Sequence, residues 1–126
     1  MADRAAGILL WCGNKILLLK KAKNGTWDFP GGRLDDNESF LQGALREFEE
    51  ETGYFLNGGD PRLIWISDNG DRCYVTFEAE VEEPFKPELS DEHEDYRWTN
   101  AELLPTDVHP GIREMFTKLQ RNEKES

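Results

Sequence analysis

Three glutamates, Glu47, Glu50 and Glu51, follow one another at spacings of three and four in a stretch that reads as a helix. At about 100° per residue, those offsets put Glu50 and Glu51 within roughly 60° of Glu47. Their carboxylates can meet at one point, while Glu49 faces elsewhere. Such a group repels itself, and the second half of a helix disfavours anions. A hard divalent cation would remove both costs, because Mg²⁺ and Mn²⁺ take oxygen ligands. Acidic helix faces are most often only solvated. The residues around the three therefore decide the reading.

Those surroundings run Gly32, five residues, Glu38, seven residues, Arg46-Glu47-Phe48, one residue, Glu50-Glu51, one residue, Gly53. Composition alone would give these identities at these spacings on the order of once in 10⁵ such chains. The stretch from Gly32 to Gly53 resembles the Nudix box at all seven of its fixed residues. The entry Trp27-Asp28-Phe29-Pro30-Gly31 and the downstream Tyr96-Arg97-Trp98 resemble the family's flanking segments. Phe48 and Tyr54 stand where the family usually has aliphatic residues, so repacking with retained activity is expected there.

The resemblance implies an α/β fold: the Nudix α/β/α sandwich with a mixed central sheet. It implies Mg²⁺ or Mn²⁺ held by Glu47, Glu50 and Glu51, with the carbonyl of Gly31 or Gly32 as a further ligand. Arg46 would pair with Glu38 and hold the loop–helix–loop together, Gly32 would permit a close backbone approach, and Gly53 would cap the helix. The implied reaction is hydrolysis of a diphosphate linkage in a nucleoside diphosphate joined to another moiety. Metal ions neutralise the phosphate oxygens and acidify a water, and a carboxylate takes the proton. A glutamate six residues before the tryptophan serves metal binding or catalysis in similar hydrolases. Here that is Glu92, in the acidic loop Asp91–Asp95, with Glu94 and Glu51 as rivals.

These residues need elements to position them. Ile8–Trp11 and Lys15–Leu19 read as a hairpin around Gly13-Asn14, and Thr26–Phe29 as a short strand stopped by Pro30. A polar loop follows to Asn37. Ser39 to about Thr52 reads as a helix, with Leu41, Ala44, Leu45 and Phe48 on one stripe. Leu63–Ser67 and Cys73–Val81 read as strands around the Asn69-Gly70 turn, the second with one charged face. Tyr96–Trp98 would be a further strand, and Pro110 opens an amphipathic helix through Leu119. Strands, helix, strands, helix suggest a mixed sheet with helices on its faces.

Lys20, Lys21, Lys23 and Arg33 lie near the carboxylates in sequence and are candidates for substrate phosphates; Lys20 and Lys21, ending the second strand, are preferred. Trp27, Trp65, Tyr74 and Phe77 are either core or stacking surfaces for a base. His93 and His109 are assigned no catalytic part. Leu89–Trp98 resembles the matching stretch of diadenosine polyphosphate hydrolases and RNA pyrophosphohydrolases, yet those groups usually carry lysine where this chain has Gly31. Dinucleoside polyphosphates or nucleoside triphosphates are favoured, with ADP-ribose and nucleotide sugars open. The alternative is a nucleotide-binding or protein-binding module without activity, whose usual mark would be a lost box carboxylate.

The 126 residues suit one domain. A net charge of −11 argues against nucleic acid in general and against an anionic membrane surface as partners. Cys12 and Cys73 lack metal or disulfide spacing, and no leader or membrane span is evident, so a cytoplasmic protein is expected. A homodimer is favoured if Trp11, Trp65 and Phe85 form an exposed apolar patch.

Overall fold

The computed structural model describes residues 3–56 and 60–125, with side chains given to 119. The order is β1 (Asp3–Cys12), β2 (Lys15–Lys21), β3 (Trp27–Asp28), β4 (Gly31–Arg33), α1 (Phe40–Thr52), β5 (Arg62–Asp68), β6 (Arg72–Glu80), β7 (His93–Asn100) and α2 (Pro110–Glu125). The sheet is mixed, in the order β3-β2-β1-β6-β5, with β4 also on β1 and β7 also on β2. β1 and β6 run parallel from Asp3 opposite Arg72 to Trp11 opposite Glu80. The other pairings are antiparallel.

Ala5–Leu10 and Ile16–Leu19 are buried along their whole runs, including both faces of each strand. Strands covered on both sides read as continuous apolar runs, as these do. On one face Ile8, Leu10, Leu17, Leu19, Val75 and Phe77 pack against Ala44 and Phe48 of α1. On the other, Leu9, Ile16, Leu18, Trp27 and Phe29 meet Ile112 and Met115 of α2. The result is the expected α/β/α sandwich.

Local chemistry sets the ends of α1. Ser39 Oγ accepts from the Gln42 N–H at 3.1 Å, and Gln42 Oε1 accepts from the Ser39 N–H at 2.8 Å, a reciprocal cap. Gly53 sits at φ 72°, and its N–H donates to the Glu49 carbonyl at 2.8 Å. Phe48 is buried and Tyr54 stacks on Phe85, with ring centroids 4.1 Å apart, so an aromatic cluster fills the space expected for aliphatic residues.

Four expectations need correction. Gly31–Arg33 is a strand where none was expected; two glycines offer no alternation from which to read it. The acidic stretch Asp91–Asp95 is only partly loop, because β7 begins at His93. The far face of β6 is not simply charged, since Thr76 is buried and the Tyr74 hydroxyl packs beneath Gly7 and Gly31. Trp11, Trp65 and Phe85 form no patch: Phe85 packs with the α1-side core, and Trp11 and Trp65 with the α2-side core. Among the described residues, no helix is long and apolar enough to cross a membrane.

Candidate active site

α1 packs against β1 and β4, and this contact delivers its carboxylates to the sheet. Glu51 is 2% exposed, and its Oε2 accepts from the Gly31 N–H at 3.0 Å. Glu47 lies over Gly32 and beside Glu51. Burial, followed by the neighbouring Glu47 and Glu92, pushes the Glu51 carboxyl up to about 9, outweighing the Gly31 N–H. Burial likewise raises Glu47, against the pull of Arg46.

The three box glutamates do not meet as one cluster. Glu50 is exposed and turns to the Arg46 Nη1 at 3.2 Å. The same nitrogen donates to Glu47 Oε1 at 3.1 Å, so Glu50 stands at the rim, one guanidinium nitrogen away from Glu47. The rest of that guanidinium grips Glu38, Nε to Oε2 at 2.8 Å and Nη2 to Oε1 at 3.0 Å. Its Nη2 also donates to the Arg33 carbonyl at 3.0 Å. Arg46 draws the Glu38 carboxyl below its ordinary range. The expected Arg46–Glu38 pair is present and ties the loop after β4 to the helix.

The start of β7 and the turn before it supply the remaining polar groups. Donor atoms of Glu51, Glu92 and His93 lie within 4.8 Å of one another. His93 was not a candidate in the sequence, because a lone histidine has no partner spacing; only the fold brings it to Glu51. Its ring is 7% exposed, its Nδ1 has no hydrogen-bond partner among the described residues, and burial lowers its pKa. Glu94, the rival to Glu92, pairs with Lys20 at 3.6 Å. His109 Nδ1 accepts from the Gly111 N–H at 3.0 Å.

Two clefts meet here. One, of about 550 Å³, is lined by Glu51, Glu92, His93, Gly31, Lys21 and Lys23. The other, of about 490 Å³, lies beside Gly31, Gly32, Arg33, Trp65, Tyr74 and His109 and also takes in Lys21 and Lys23. The two lysines stand where the clefts join, whereas Lys20 lines neither. Lys21 pairs with Asp28 at 3.3 Å, and Arg33 with Asp3 at 2.6 Å. Of the aromatic candidates, Trp65 and Tyr74 reach the cleft, while Trp27 and Phe77 are core.

The residues fit a divalent cation. Buried Glu51, exposed Glu92 and the buried imidazole of His93 bring donor atoms together, while half-buried Glu47 beside Glu51 is already paired with Arg46.

Gly31 has a packing reason to lack a side chain. A Cβ there would stand 2.5 Å from the Ala6 carbonyl oxygen and 2.6 Å from Gly7 Cα. Both are backbone of the central strand and cannot give way. A Cβ on Gly32 would instead meet the Glu47 carboxyl at 2.7–2.9 Å, the end of a mobile side chain. Gly31→Ala is therefore expected to cost about 1–3 kcal/mol of stability, as overpacking does. Gly32→Ala should melt nearer the wild type yet lose turnover, because it displaces a box carboxylate. Thermal melts of the two variants check this, and a wild-type melt for Gly31→Ala would refute the close packing.

The family model for the NUDIX domain matches residues 1–119. The chain belongs to the Nudix family. It is 32% identical over 116 residues to the asymmetrical bis(5'-nucleosyl)-tetraphosphatase of Rattus norvegicus, covering 78% of this chain and 79% of that protein. It is 43% identical over 53 residues to the 8-oxo-dGTP diphosphatase of Proteus vulgaris, covering 39% of this chain and 47% of that one. The chain spans about a third to a half of the length of such bacterial relatives. A crystal structure of a C. elegans Ap4A hydrolase binary complex superposes with a TM-score of 0.79 at 20% identity, over 99% of this chain and all of that one. That likeness establishes the Nudix fold.

Proposed function

We propose that this Nudix domain hydrolyses a diphosphate linkage in a nucleoside diphosphate joined to another moiety, with Mg²⁺ or Mn²⁺ as cofactor. The observation that carries the reading is buried Glu51 beside Glu47, with a Glu92 oxygen within 4.8 Å of it in a cleft that also takes in Lys21 and Lys23. Glu47 and Glu51 would hold the cation, with Glu50 at the rim and the backbone of Gly31 or Gly32 beside them. Neutralised phosphate oxygens and a more acidic water are what a bound divalent ion supplies. Lys21 and Lys23 hold further phosphate charge, and Trp65 offers a stacking face in the cleft beside Gly32 and Arg33. Glu92, exposed and within reach of Glu51, takes the proton as water attacks one phosphorus. The bond from that phosphorus to the bridging oxygen breaks, and the other phosphate leaves with its nucleoside.

Dinucleoside polyphosphates are the favoured substrates. The relative matched over most of this chain carries that activity in its name, and the two joined clefts give room for an elongated ligand. Nucleoside triphosphates are the second class to assay, given the 8-oxo-dGTP diphosphatase relatives. Turnover of a nucleotide panel with Mg²⁺ and with Mn²⁺ tests both, and full activity in excess EDTA would end the proposal. Glu92→Gln is expected to lower kcat roughly 10²-fold with little change in KM, and to move the acidic limb of the pH–rate profile. A wild-type kcat in that variant, with loss in Glu94→Gln, would move the role to Glu94.

A further inference from the structure

We propose that Glu51, Glu92 and His93 form a mixed oxygen–nitrogen site for a divalent transition metal ion, Mn²⁺, Co²⁺ or Ni²⁺, in preference to Mg²⁺. The proposal builds on the reading of Glu51 as a metal ligand and adds a donor type that the box glutamates lack.

A regular β2–β7 ladder would not put His93 there. β2 and β7 pair in step from Lys15 opposite Asn100 to Lys20 opposite Asp95. At the next position the register slips, and Lys21 pairs with His93 instead of Glu94. Such a bulge re-aims side chains, and bulges gather beside active sites. Here Glu94 is left beside Lys20, and His93 is set against Glu51 and Glu92. The His93 N–H donates to the Ser90 carbonyl at 3.2 Å, and the Ala22 N–H donates to the Glu92 carbonyl at 2.9 Å, so both residues are held by their backbones.

The imidazole itself is the second mark. Buried polar groups are nearly always paired, yet His93 is 7% exposed and its Nδ1 has no partner among the described residues. The neutral ring is the form that ligates. Donors that share one small cation stand about 3–4 Å apart, given bonds of about 2.1 Å. The three donor atoms lie within 4.8 Å, so a closure of about 1 Å would complete the site. Magnesium favours oxygen and keeps its waters, whereas imidazole favours the later first-row ions in the order Mn²⁺, Co²⁺, Ni²⁺. Glu92 has two carboxylate oxygens, so it can ligate through one and accept a proton through the other.

Pulsed EPR of the full chain loaded with one equivalent of Mn²⁺ tests the site without a mutation. The expected result is an electron-spin-echo modulation from directly bound imidazole ¹⁴N. The protein has only two histidines, so the signal should survive in His109→Gln and vanish in His93→Gln. In parallel, His93→Gln should weaken Co²⁺ binding by roughly tenfold or more, while Mg²⁺ binding shifts by less than about twofold. Bound Mn²⁺ with no nitrogen modulation in the wild type would overturn the proposal, and an ordered water on Nδ1 would be the remaining reading. A signal lost in His109→Gln would overturn it equally. Either failure, with Mg²⁺-dependent turnover intact, leaves the hydrolase reading standing. Turnover without any metal, alongside a clear nitrogen signal, would sink that reading and spare this one.

Discussion

Glu51→Gln is expected to abolish turnover and to stabilise the metal-free protein at alkaline pH. Glu51 is nearly inaccessible, lies beside Glu47 and faces Glu92. Glutamine keeps the oxygen that accepts from the Gly31 N–H and removes the charge, so the fold should persist. Removal of a group at the reacting centre costs roughly 10²–10⁴-fold in rate, and loss of a metal anchor belongs at the upper end. The stability effect has a definite sign. The carboxyl lies at about 9 in the folded chain and at 4.5 by default, so folding favours its protonated form. Its stabilising effect is complete below the lower value and disappears as pH rises through the higher one. In EDTA, the wild-type melting temperature should fall between pH 5 and 9. The variant should fall less, melting above the wild type at pH 8.5 and level with it at pH 5. Excess Mg²⁺ should raise the wild type, as a ligand of the folded state does, and leave the variant nearly unmoved. Wild-type kcat in Glu51→Gln would remove Glu51 from the chemistry. Parallel pH–melting curves would remove the buried-charge explanation.

Much of this arrangement was legible in the sequence, and the parts that were not have physical reasons. α1 was readable from both ends, because Ser39, Gln42 and Gly53 act within a turn of themselves. The Arg46–Glu38 pair was readable because the motif spacing carries it. β4 was hidden, since its two glycines are chosen by backbone contact with Ala6 and Gly7, far away in the chain. Spacing put Glu47, Glu50 and Glu51 on one helix face, but rotation about the helix axis does not say which carboxylate is buried. Docking on β1 and β4 buries Glu51, and Arg46 draws Glu50 outward. His93 was invisible for a similar reason. Its part depends on a one-residue slip between β2 and β7, and strand composition does not record register. Lys21 and Lys23 line both clefts whereas Lys20 does not, a distinction that sequence neighbourhood cannot make.

Arg46→Ala should lower stability and rate together, and Arg46→Lys should recover little of either. The guanidinium makes two parallel bonds to Glu38 and one to the Arg33 carbonyl, and its Nη1 donates to Glu47 Oε1 and to both Glu50 oxygens. A lysine has three donors on a point charge and cannot span that set. The side chain is 27% exposed, so the loss lies between that of a surface pair and that of a buried one. About 2 kcal/mol is expected, or roughly 5–10 °C in the melting temperature of a chain this size. The rate effect follows from position. Arg46 links the loop after β4 to α1 and stands between Glu47 and Glu50, so its removal frees both carboxylates and the Gly31–Arg33 strand they face. Turnover should fall at least tenfold while KM for a minimal substrate moves less, since no bond to substrate is removed. Glu38→Gln should show a weaker version of the same pair of changes. A wild-type melting temperature with abolished turnover in Arg46→Ala would place the guanidinium on the substrate. A lowered melting temperature with wild-type kcat below the melt would confine it to the scaffold.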